Sequence, residues 1–283
     1  MNRKRRHVRR KPMRLTCGYM EEVMRIALIT GASSGLGREY TLLADGSGAY
    51  DEIWAVARRT ERLQALQGQC ETPVKAISLD LSQQSSMAQL QDMLARCLEA
   101  DPDFCVGYLV NAAGFGKFGT VDDMTLDEVN AMIDLNCRAL VDITQICVPY
   151  MRKGGRIIQI ASSASFQPLQ GLNVYAASKA FVRSYTRALR WELHGRGIYV
   201  TAVCPIWIKT EFVKVARDTS NGTTVKHPWP QLSPRHVVRW SDFVNRCNYP
   251  IATCSVIAFL MRIFCKLLPN PVIMWIWEGV RRA

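Results

Sequence analysis

The stretch Arg25-Ile26-Ala27-Leu28-Ile29-Thr30-Gly31-Ala32-Ser33-Ser34-Gly35-Leu36-Gly37 decides the reading of this chain. Its first six residues are a short apolar run, and a glycine-rich turn follows at once. An apolar run of this length that ends in glycine fits a buried parallel strand. Glycines let the backbone come close to a pyrophosphate, and a helix opening there offers free N–H groups and the positive end of its dipole. The spacing is GxxxGxG, not the GxGxxG of many dinucleotide-binding turns. Such a cluster alone could equally be a tight turn, but its place directly after a strand favours the phosphate reading.

Working outward, further strands are expected at 52–57, 74–79, 106–110, 156–161 and 199–204. Helical stretches separate them: one after the glycine turn, then 60–66, 85–98, a long one over 126–150, and 176–193. This alternation implies right-handed βαβ units and an α/β fold: a single Rossmann-type doubly wound parallel sheet with helices on both faces. Beyond Pro205 the rhythm breaks down. Residues 218–235, rich in Thr, Asn, Gly and Pro, are expected to form a loop or mobile lid. Ile251 to Leu268 reads as an amphipathic helix, with weak membrane-surface contact as a secondary reading. Residues 24–283 are thus expected to be one domain, its lid and C-terminal apolar helical segment occupying about 206–283.

The 283 residues carry a net charge of +12, and eight of the cations lie within the first fourteen residues with no acid among them. Residues 1–23 therefore read as a basic, disordered tail. Glu21 and Glu22 interrupt the apolar segment that a secretory signal requires, and a silent extension is favoured over nucleic-acid binding. No run of eighteen uncharged apolar residues is present, so no transmembrane segment is expected. The ten cysteines form no CxxC pair and no zinc-like cluster with histidine, which fits a reducing cytoplasm without metal or disulfides.

Two other places carry chemistry. The second strand ends in Ala57-Arg58-Arg59, where enzymes that use NAD tend to place an acid for the ribose 2′-hydroxyl. Arginine suits a 2′-phosphate instead, so NADP(H) is expected over NAD(H); the plainer reading is two solvated arginines at a helix start. Tyr175 and Lys179 stand at i and i+4 on one helix face. A nearby ammonium would lower the phenol's high pKa toward a useful range. YxxxK alone is weak, because any amphipathic helix can contain it.

Taken together, these motifs resemble the short-chain dehydrogenase/reductase family, from about Arg25 to Thr210. Thr30 to Gly37 looks like its TGxxxGxG turn, and Asn111-Ala112-Ala113-Gly114 like its NAAG motif. Asn136, Ser162, Tyr175 and Lys179 match its catalytic tetrad, and the Ser-to-Tyr spacing selects Ser162 over Ser163. The resemblance implies cofactor contacts from Gly31, Ser33, Ser34, Gly35, Leu36 and Gly37, from Arg58 and Arg59, and from Asp80 and Leu81. It extends them to Asn111, Ala112, Ala113, Gly114, Tyr175, Lys179, Pro205, Ile208 and Thr210. One departure is Ile206, where the family usually has glycine after the proline.

The resemblance implies hydride exchange between a nicotinamide and a carbonyl or alcohol substrate. Tyr175 would protonate the alkoxide and Ser162 would stabilise it. Lys179 would hold the nicotinamide ribose and lower the tyrosine pKa, and Asn136 would position a water. The aromatic content after Pro205 favours an apolar ketone, such as a steroid, 3-oxoacyl or lipid-like one, unless those side chains fill core or interface. A homodimer or homotetramer is expected from the family. The competing readings are a non-catalytic NADP(H)-binding sensor or scaffold, and an epimerase or dehydratase on the same fold.

Overall fold

β1 (Arg25–Thr30) lies at the middle of the sheet, with Ile26 through Ile29 wholly buried. The computed structural model describes residues 24–220, 225–226 and 228–282, so the basic tail lies outside the described residues. β2 (Glu52–Ala57), β3 (Val74–Ser78), β4 (Cys105–Asn111), β5 (Arg156–Ile160), β6 (Tyr199–Val203) and β7 (Ile251–Ala252) complete a seven-stranded sheet. Every pairing is parallel, in the order β3-β2-β1-β4-β5-β6-β7. The order reverses between β1 and β4, and ligands of open α/β sheets bind at that crevice.

Because side chains alternate across a strand, β1 feeds two cores. Ile26 and Leu28 join Trp54, Val56, Leu90, Leu94, Leu189 and Leu193 on one face. Ala27 and Ile29 join Tyr40, Ala44, Leu63, Val237 and Val238 on the other. The first face is covered by α3 (Gln84–Ala100), α5 (Ala139–Cys147) and α6 (Asn173–His194). The second is covered by α1 (Gly35–Ser47), α2 (Thr60–Gln67) and α8 (Pro234–Arg246). Truncating a residue such as Leu28 to alanine would cost about 2–5 kcal/mol.

Three expectations need correction. The long helix over 126–150 is broken: α4 (Leu126–Ile133) passes into a π-helical turn, Asp134–Arg138, before α5 resumes, and 148–150 is a 3₁₀ turn. Ile251 does not begin a helix. It and Ala252 pair with Ala202 and Val203, and the helix α9 (Val256–Leu267) starts only after Ser255, whose side chain caps it. A further helix, α10 (Asn270–Arg282), is set off by Pro269, which cannot continue α9. Among its described residues, the expected loop at 218–235 contains no helix or strand up to Ser233, although Pro234 and Arg235 already belong to α8. Residues 221–224 and 227 of that loop lie outside the described residues.

Candidate active site

The carboxyl ends of β1 to β6 open onto one cavity of about 1060 Å³. All the residues singled out from the sequence line it except Gly37, Asn111 and Asn136. The glycine turn forms one end. Gly31 has φ +67°, and a Cβ there would sit 2.8 Å from the Ala113 nitrogen; a Cβ on Gly37 would strike the Gly31 carbonyl at 2.3 Å. Gly37 is therefore required for helix–turn packing rather than as part of the wall. The Thr30 hydroxyl ties this turn to the next motif, accepting from Ala112 N at 3.1 Å and Ala113 N at 3.2 Å. Asn111 points away from the cavity, its amide donating to Thr144.

The two arginines after β2 have different surroundings. Arg59 Nε reaches Ser33 Oγ at 3.2 Å and a terminal nitrogen reaches Ser34 Oγ at 2.7 Å. Guanidinium and hydroxyls thus form one cluster of donors beside the N-terminus of α1, a fit for a phosphate. Arg58 lines the same cavity and acts on Asp80 through its charge. Burial pulls the Asp80 carboxyl upward, but two hydrogen bonds from Ser82 and the Arg58 charge leave it below its ordinary value.

Catalytic candidates converge at the other end. Ser162, just past β5, lines the same stretch of wall as Tyr175 and is near enough to draw its phenol pKa downward. The Lys179 Nζ donates to the Ile160 carbonyl at 2.9 Å and lies 5.9 Å from the centre of the Tyr175 ring. Burial pushes the phenol up to about 12, against the downward pull of Ser162. Burial also draws the Lys179 ammonium down to about 8. In the chain by itself desolvation dominates the phenol. Tyr175 is held protonated at neutral pH.

Asn136 sits in the π-helical turn, a distortion that recurs at functional sites. Its Oδ1 accepts from Phe115 N at 3.1 Å, while Nδ2 donates to Phe115 O at 2.8 Å and Ser178 Oγ at 3.1 Å. The side chain thus clamps the loop after β4 onto the helix that carries Tyr175 and Lys179.

Outside the motifs, Phe212 belongs to the aromatic content expected to select the substrate, whereas Gly116, Lys117 and Glu211 escaped the sequence reading. Phe212 packs against Tyr175 with ring centres 5.3 Å apart, and Gly116 leaves room for both rings. Lys117 reaches the wall but is paired with Glu128 at 3.1 Å and with Asp218. Glu211, which opens α7 (Phe212–Ala216), is ion-paired with Arg59 and Arg62. Motif spacing gives no sign of the last three, because each owes its place in part to a residue about a hundred or more positions away: Phe212 for Gly116, Asp218 for Lys117 and Arg59 for Glu211.

The family model for short chain dehydrogenase matches residues 25–221. The NADP-dependent 3-hydroxy acid dehydrogenase YdfG of Escherichia coli O157:H7 is 34% identical over 206 residues, which is 71% of this chain and 80% of that protein. Among solved structures, a short-chain dehydrogenase from Sphingobium yanoikuyae in complex with NADPH superposes with TM-score 0.70 at 27% identity, covering 82% of this chain and 88% of the other. A bulky-bulky ketone specific alcohol dehydrogenase from Comamonas testosteroni gives TM-score 0.65 at 25% identity, with 82% and 86% covered. With the sheet order, the glycine turn and the Ser162–Tyr175–Lys179 cluster already established by geometry, the chain belongs to the short-chain dehydrogenase/reductase family of oxidoreductases.

Proposed function

We propose that this protein is an NADPH-dependent reductase of apolar ketones. The observation that carries the reading is that Ser162, Tyr175 and Lys179 come together at the wall of a largely apolar cavity, with the phenol held protonated. Ser33, Ser34 and Arg59 are suited to a 2′-phosphate, and the glycine turn leaves backbone where a pyrophosphate can approach. NADPH bound there supplies a hydride to the carbonyl carbon. Ser162 and Tyr175 hold the carbonyl oxygen, and Tyr175 donates its proton as negative charge develops. Lys179 and Asn136 keep that phenol in place from the side of α6.

For the substrate, the cavity is walled by Phe115, Leu169, Leu172, Trp207, Phe212 and Trp277. Lys117, which lines the cavity alongside Lys179, is already matched by Glu128 and Asp218, which disfavours a free carboxylate at that point. This supports an apolar ketone over a small hydroxy acid such as the YdfG name denotes. The test is NADPH consumption by the purified protein against ketosteroids, 3-oxoacyl thioesters, bulky aryl ketones and 3-oxo acids, with NADH in parallel. Tyr175→Phe should lower turnover by roughly 10²–10⁴-fold with NADPH affinity intact. Undiminished turnover by Tyr175→Phe, or a clear preference for the free oxo acids, would overturn the reading.

A further inference from the structure

The C-terminal helix α9 exposes its apolar side. Val256, Phe259, Leu260, Ile263 and Leu267 follow the i, i+3, i+4, i+7, i+11 spacing of one helix face, and all five are exposed. Val256 is 73% and Leu267 72% exposed, while the opposite side, at Ala258, is the buried one. A surface helix of a globular protein normally shows the reverse arrangement. Next to it, α10 exposes Val272, Trp275, Ile276 and Val280. An apolar patch of this kind marks a contact surface.

We infer that the outer faces of α9 and α10 dock on an anionic lipid surface, with the mouth of the active-site cavity turned toward it. Three observations select this occupant. First, Ile257, Phe264, Leu268, Ile276 and Val280 are exposed and also line the cavity, so its apolar wall runs out onto the surface between the two helices. Second, the segment 256–282 carries Arg262, Lys266, Arg281 and Arg282 against the one acid Glu278, and α9 itself has no acid. A second copy seated on the same patch would set like charge against like, because a two-fold contact meets itself. Anionic headgroups match the charge, and lipid chains match the apolar stripe. Third, Trp275 and Trp229, 77% and 78% exposed, stand on α10 and at the cavity wall respectively. Indole rings favour the boundary between water and hydrocarbon. No described helix is long and apolar enough to cross a membrane, so the contact is with one face of a bilayer.

The test is flotation of the full-length chain with vesicles, and it needs no turnover, so it stands or fails separately from the reductase reading. Vesicles of phosphatidylcholine and phosphatidylglycerol in equal parts are compared with phosphatidylcholine alone, at low and high salt. The protein should float with the anionic vesicles, with weaker binding to the neutral ones and in high salt. Leu260→Glu combined with Leu267→Glu should cut partitioning by roughly tenfold or more, since two apolar contacts become acids beside an anionic surface. Neither residue lines the cavity, so NADPH affinity should be unchanged and serves as the check on folding. Wild-type protein left unbound by the anionic vesicles overturns the inference. So does equal binding by the double variant, which would assign the contact to the basic tail. A wild-type dimer that this variant converts to a monomer, with no vesicle binding by either, assigns the face to a second copy.

Discussion

Arg59 and Glu211, 152 residues apart in the chain, meet at 2.8 Å, and the same carboxylate takes Arg62 at 2.8 Å. The arginine that also holds Ser33 and Ser34 at the glycine turn is thereby joined to the first residue before α7. These hydrogen bonds, Arg59's first, keep the Glu211 carboxyl below its ordinary value and so keep it anionic. An anion already rests on the guanidinium that suits a phosphate. Glu211→Gln should therefore lower the Kd for NADPH by roughly two- to fivefold, because exposed pairs of this sort are worth about 1 kcal/mol or less. NADH binding should hardly change. Fluorescence titration of both cofactors measures this, and an unchanged NADPH Kd would show that Glu211 does not compete.

The same geometry separates the two arginines that sequence alone leaves equivalent. Arg59→Ala removes the donor bonded to both serines, so NADPH affinity should fall roughly tenfold or more while NADH affinity stays within about twofold. Arg58→Ala should have the smaller effect on that selectivity. Equal losses for the two cofactors in Arg59→Ala would remove the 2′-phosphate assignment.

How much of this could be read in advance follows from how far each signal reaches along the chain. β1, β2 and β5 are short apolar runs whose burial both faces of the sheet demand, so their bounds are visible within one residue. Tyr175 and Lys179 share a helix face by spacing alone. The π-helical turn at Asp134–Arg138 is hidden, because one extra residue per turn hardly disturbs the apolar pattern around it. β7 has two residues and exists only because β6 offers an unpaired edge. α8 is hidden by its many charged positions, its inward stripe resting on Val237, Val238 and Val244. Lys117, Glu211 and Gly116 owe their places to tertiary neighbours, which no local pattern encodes.

Gly116 is one of these. A Cβ there would lie 2.8 Å from both Phe212 Cζ and Tyr175 Cδ2. Since the added methyl would press on the Tyr175 ring as well as on Phe212, and a small misplacement of the phenol is costly, Gly116→Ala should reduce kcat by roughly tenfold or more. NADPH affinity should be retained, because the glycine turn and Arg59 are untouched. Steady-state kinetics beside cofactor titration makes the comparison. Wild-type kcat in Gly116→Ala would mean that the Tyr175 ring has slack the packing does not suggest.

Lys179 gives a prediction with a definite sign. Burial lowers its ammonium from 10.5 to about 8. Above the unfolded value both states are neutral and burial carries no charge penalty; below about 8 the folded state must keep a buried cation. The penalty therefore disappears as pH rises from 8 to 10.5, and at neutral pH it amounts to about 3 kcal/mol. Lys179→Met removes the charge together with the hydrogen bond to Ile160, so a net gain of about 1–3 kcal/mol at pH 7 is expected. That advantage over wild type should shrink to nothing by pH 10.5. Urea unfolding of both proteins across this range measures the difference directly, and a constant offset would mean the ammonium is not desolvated. Reduction by the wild type should also slow as pH passes about 8, where the ammonium beside Tyr175 is lost while the phenol, at about 12, is still protonated. A rate that holds level to pH 10 would take the Lys179 charge out of the chemical step.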